Sequence, residues 1–145
     1  MVKPTKNAIA YVIYNDDRSK FLVVQRPGDD KDLPNAWGLP AGSLEEGESF
    51  EDAVLRSGRE KLGVKLSVGE LVGEGEIERD TYVLYMKEYE ATIAQGEPKA
   101  PQGVEGVTQY QQWRWGTADD VVEAAQKGSL CSRLYLSSIG RAWQR

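Results

Sequence analysis

The stretch GSLEEGESFEDAVLRSGREKLGV (42–64) places Ser57, Glu60 and Lys61 three and four residues apart. On a helix those positions share one face about a turn long. Carboxylates at all three would form an oxygen cradle for a hard divalent cation, able to hold a pyrophosphate and activate a water. Only Glu60 is acidic here, and Lys61 reverses the charge where a third acid would stand. An ammonium within a few ångströms of a divalent ion opposes it strongly. Two chemistries are left to this face: a reduced metal site built on Glu60 with loop acids such as Glu105, or direct phosphate contact by Lys61.

The rest of the composition narrows the field. No histidine occurs in the 145 residues, which excludes imidazole bases, Ser-His-Asp triads and histidine-ligated zinc. Cys131 is the only cysteine, so an internal disulfide or a multi-cysteine metal site is excluded and a reducing, cytoplasmic setting is expected. The net charge of -5 opposes a grip on long nucleic acid, although local cations can still hold a small phosphorylated ligand. The apolar run AIAYVIY near the start is too short for a membrane segment. The length predicts one domain over 1–145.

The elements that must position the 42–64 stretch follow from pattern. NAIAYVIYN (7–15) and KFLVVQR (20–26) are β-rich and flank the turn-forming NDDRS, which predicts a hairpin. Residues 27–42 are broken by Pro and Gly and carry Trp37 into a short extended piece. Ser49 with Asp52 marks a helix start, and Gly63 supplies its stop. Gly58 inside that helix costs about 1 kcal/mol against alanine, so the helix must lean on tertiary packing. Residues 66–95 alternate around Arg79 and Asp80 as two antiparallel strands, a polar loop covers 95–107, and TQYQQWRW returns to strand. Thr117 with Asp120 predicts a helix over VVEAAQKG, and Leu134, Leu136, Ile139 and Trp143 suit a final one. Trp37, Trp113, Trp115 and Tyr82 read as core aromatics before base-stacking ones.

Gly42, Glu48, Arg56, Glu60, Gly63 and Val64 fall at the spacing of G-x5-E-x7-R-E-U-x-E-E-x-G-U, with U a bulky aliphatic residue. The chain thus resembles the Nudix hydrolase family, MutT-like, with a degenerate box in which Ser57, Gly58 and Lys61 depart from the pattern. The approach AWGLPAG (36–42) is similar to the family's as well. The resemblance implies an α/β fold: a Nudix-type α/β/α sandwich with a mixed sheet, one box helix and C-terminal helices. It also implies a metal-dependent pyrophosphohydrolase acting on acid anhydrides, with a nucleoside diphosphate-linked, nucleotide-type small-molecule substrate and Mg²⁺ or Mn²⁺ as cofactor. Activity is expected to be weak, because two of the three helix carboxylates are replaced.

On that resemblance Glu60 and Glu105 are the catalytic candidates. Glu60, Glu105 and the Gly42 carbonyl are the metal candidates. Arg26, Arg59 and Lys61 are the candidates for substrate binding, while Glu48, Arg56 and Gly63 shape the box. Glu45 matches an acid common in the family's loop. The alternative is a catalytically inactive Nudix-fold module that binds a nucleotide, with Lys61 replacing the metal, or that binds another protein. No membrane partner is expected, and relatives that pair through their sheets admit a homodimer.

Overall fold

The computed structural model describes residues 2–144. Strands β1 (Thr5–Ile13), β4 (Ala41–Ser43), β5 (Lys65–Glu78) and β6 (Val83–Gln95) form one sheet in the order β4-β1-β6-β5. Strands β2 (Phe21–Gln25), β3 (Trp37–Gly38) and β7 (Gln112–Gly116) form a second in the order β3-β2-β7. The first sheet is mixed: β1 runs parallel to β6, while β4 and β5 are antiparallel to their neighbours. The helices are α1 (Phe50–Ser57), continued by a wide turn over Gly58–Leu62, then α2 (Asp119–Gln126) and α3 (Leu130–Ser138).

Strand alternation divides the interior into two cores. Ala8, Ala10 and Val12 of β1, with Phe21 and Val23 of β2, face Val121 and Ala125 of α2 and Tyr135 and Leu136 of α3. Their neighbours Ile9, Tyr11, Ile13, Leu22 and Val24 face Ala53 and Val54 of α1. Because both faces of β1 are covered, the run is almost continuously apolar rather than alternating. The result is the expected α/β/α sandwich, with the 42–64 stretch on one side and the C-terminal helices on the other.

Several local expectations need correction. β1 and β2 do not form a hairpin: a single antiparallel bridge, Tyr14 to Phe21, joins them before they enter different sheets. β1 instead takes β6 as a parallel partner over its whole length. The final helix starts at Leu130, capped by Ser129, and ends at Ser138, so Trp143 lies beyond it under the Arg133 guanidinium. At α2 the Asp120 carboxylate reaches back to the Thr117 N–H at 2.8 Å, so the acid and not the threonine hydroxyl closes the turn. Among the described residues no helix is long and apolar enough to cross a membrane.

Gly58 has a packing reason. A Cβ built there would stand 2.5 Å from Leu66 Cδ1, so the missing side chain lets the start of β5 close onto the helix. The helix then widens by a residue, with the Gly63 N–H reaching the carbonyls of both Arg59 and Gly58, and stops at Gly63 with φ 70°.

Candidate functional site

The loop before α1 is locked by Arg56. Its guanidinium pairs with Glu48 through two bonds of 2.9 Å, donates to Glu60 Oε1 at 2.9 Å and to the Ser43 carbonyl at 2.7 Å, and meets Glu45 at 3.0 Å. The Arg56 hydrogen bonds hold the Glu48 carboxyl below the usual glutamate range. The same carboxylates raise the guanidinium pKa. Arg56 has 19% and Glu48 15% of its side chain exposed, so the pair is screened less than a surface one. Ser49 supplies the helix start as expected, its hydroxyl accepting the Asp52 N–H at 3.1 Å.

At the neck of this loop the helix face predicted to hold metal meets β4. Lys61 Nζ donates to the Ala41 carbonyl at 2.5 Å and lies 5.1 Å from the centre of the Tyr110 ring. The Tyr110 hydroxyl donates to the same carbonyl at 3.1 Å and accepts the Ala41 N–H at 2.9 Å. Ser57 is buried, its hydroxyl 2.9 Å from that of Tyr11. A Cβ on Gly42 would lie 3.5 Å from Ser57 Oγ and 3.8 Å from Lys61 Nζ, ordinary contact distances that put this strand residue directly against the helix face. Among the described residues no carboxylate forms an ion pair with Lys61.

The remaining candidates are dispersed. Glu105 is exposed in the 95–111 segment, and no hydrogen bond or ion pair joins it to Glu60 or to any other described residue. That segment touches the helix through Gln109 instead, whose side chain donates to the Glu60 carbonyl at 3.2 Å. Arg59 is exposed and borders a groove with Leu55, Val64, Lys65 and Leu66; two residues from Lys61, it takes a different side of the helix. Arg26 lies 3.3 Å from Asp30 and lines a cavity that Ala41 also borders. Trp113 is half-buried with its indole N–H on the Pro98 carbonyl, and Trp37 carries the Arg114 guanidinium on its face.

The donor set does not fit a divalent cation. The Ala41 carbonyl is already bonded by an ammonium and a phenol, Ser57 is bonded to Tyr11, and Glu60 is paired with Arg56. Among the described residues no three His, Cys, Asp or Glu side chains gather where they could hold a metal ion. Two features lie outside the sequence reading. Tyr110 could have been flagged only as an aromatic residue near a strand start. Glu88 is completely buried with neither carboxylate oxygen hydrogen-bonded, although its setting in MKEYE gives no sign of burial.

A family model for the NUDIX domain matches residues 3–133. The CTP pyrophosphohydrolase of Escherichia coli K12 is 32% identical over 78 residues, 54% of this chain and 56% of that protein. The match thus spans only about half the length of that curated relative. Among solved structures, the MutT protein of Methanosarcina mazei Go1 superposes with a TM-score of 0.74 at 15% identity, covering 97% of this chain and 96% of that one. A MutT NUDIX hydrolase from Burkholderia pseudomallei gives 0.73 at 22% identity, covering 94% and 99%. At such identities the structural matches show the shared fold.

Proposed function

The chain belongs to the NUDIX domain family, and on that premise we propose that it binds a nucleoside diphosphate-linked ligand at the box and hydrolyses it slowly, gripping the pyrophosphate with Lys61. The observation that carries this reading is the Lys61 ammonium fixed on the Ala41 carbonyl. An ammonium has three N–H donors, so one bond to Ala41 leaves two for phosphate oxygens, and among the described residues no carboxylate is paired with it. Ala41 and the Tyr110 ring fix where that charge stands before a ligand arrives, which limits the ordering cost of binding.

The metal chemistry that the family resemblance implies finds no matching donors on this helix, and no step is assigned to it. What remains for hydrolysis is Glu60. Its Oε1 is held by Arg56, which orients the carboxylate and leaves Oε2 to accept a proton from water. One carboxylate oxygen, with no partner to polarise the water, supports slow turnover only. The acidic chain leaves the grip on a small nucleotide-type ligand to local cations such as Lys61, and the lone buried Cys131 suits a cytoplasmic setting.

The test is product release from nucleoside triphosphates, nucleotide sugars and dinucleoside polyphosphates, with a Glu60→Gln variant as control. Slow release that falls in the variant supports hydrolysis. Release no greater than the control, with binding intact, makes the protein a nucleotide-binding module of the same fold.

A further inference from the structure

On the face of the sheet opposite α1, a cavity of about 190 Å³ lies between Leu84 and Met86 of β6, Ala41 of β4, the Gly128–Cys131 turn and Arg26. Arg79, from the β5–β6 turn, lines it too, with one N–H on the Gly128 carbonyl at 3.1 Å. Arg79 is half-buried, and among the described residues no carboxylate forms an ion pair with it. Lys61 stands outside this lining, bonded to the carbonyl of Ala41, the residue common to the cavity and the box. Arg79 and Arg26 thus bring two guanidiniums to one cavity in a chain of net charge -5.

We propose that this cavity is a second anion subsite, in which Arg79 and Arg26 take a phosphate group additional to the pyrophosphate held by Lys61. The inference rests on the proposed pyrophosphate site and narrows its ligand to a nucleoside diphosphate carrying a further phosphate. Arg79 uses one of its five donors on Gly128, which leaves a planar fork suited to phosphate. Arg26 is tied to Asp30 only at 3.3 Å, so its guanidinium is lightly committed. The volume lies below the ~300 Å³ at which pockets for drug-sized ligands begin, so the space suits a compact group rather than a whole nucleoside. Two other charged residues line it: Asp32, whose exposed carboxylate opposes an anion, and Lys127, whose ammonium is paired with Glu123 at 2.9 Å.

The test has two arms. In the first, inorganic phosphate is titrated into the protein while arginine side-chain N–H resonances are followed by NMR. Saturable shifts of Arg79 and Arg26, with the exposed Arg141 unmoved, are expected, and no saturable shift at Arg79 overturns the subsite. In the second, calorimetry compares ADP with adenosine 3′-phosphate 5′-diphosphate in EDTA. The added phosphate should tighten binding about tenfold, the scale of one charge-assisted hydrogen bond, and Arg79→Gln should bring that ratio near one. A ratio near one in the unmodified protein, or a gain that persists in a folded Arg79→Gln, refutes the narrowed ligand. Phosphate shifts at Arg79 without any nucleotide binding would instead uphold the subsite and overturn the pyrophosphate reading.

Discussion

Lys61 Nζ lies 2.5 Å from the Ala41 carbonyl oxygen, so a helix residue bonds a strand residue 20 positions earlier and puts a fixed positive charge at the neck of the box. Mn²⁺ should therefore leave the melting temperature of the unmodified protein unchanged. A Lys61→Glu variant reverses the charge beside Glu60. It should melt lower in EDTA and recover on adding Mn²⁺, with ~2.7 kcal/mol regained at a hundredfold excess over the dissociation constant. Thermal denaturation with and without the ion reads both.

Arg56 joins Glu45, Glu48, Glu60 and Ser43, and its removal strands two poorly exposed carboxylates. Arg56→Met should cost about 1–3 kcal/mol in urea unfolding at neutral pH. The Glu48 carboxyl is held below its ordinary value, so its contribution is fully present above the unfolded pKa near 4.5 and disappears as pH falls through the lower folded value. The gap between variant and parent should narrow across that acid range.

Gly58→Ala should destabilise despite alanine's better helix propensity. Its Cβ would meet Leu66 at 2.5 Å, and such overpacking costs about 1–3 kcal/mol. Urea midpoints of Gly58→Ala, Leu66→Ala and the double variant should show the glycine effect shrinking once Leu66 is trimmed.

Glu88 lies on the inner face of β6 among Ala10, Met86, Cys131 and Tyr135, and burial pushes its carboxyl well above the ordinary range. The sign is opposite to that of Glu48. The unfolded chain releases this proton near pH 4.5 and the folded chain retains it. Stability should then fall with rising pH by roughly 1.4 kcal/mol per unit until the folded pKa is reached. Glu88→Gln keeps the shape of the neutral acid and should remove that decline. The variant should match the parent near pH 4 and exceed it at pH 8.

These side chains also show where sequence reading succeeds. Gly42, Glu48, Arg56 and Gly63 announce the box because loop and helix are contiguous, and their spacing is the geometry itself. Lys61 was legible as a misplaced cation, but its partner was not, because Ala41 reaches it through strand placement. NDDRS does mark a turn, yet β1 leaves the expected hairpin for a parallel partner, β6, more than 70 residues away. Glu88 was invisible for a related reason: MKEYE reads as a polar half-strand, whereas β6 sits between β1 and β5 with helices over the sheet. Glu105 is a candidate only through the family resemblance, and side chains in a loop are placed by contacts that no periodicity records.

Whether Lys61 supplies the cation that grips pyrophosphate can be read from calorimetric titration with ADP in EDTA and again in Mn²⁺, for the unmodified protein and Lys61→Met. The expected result is the same affinity with and without the ion, and a loss of about tenfold or more in the variant. Binding that appears only with Mn²⁺ and is unchanged in Lys61→Met would contradict it.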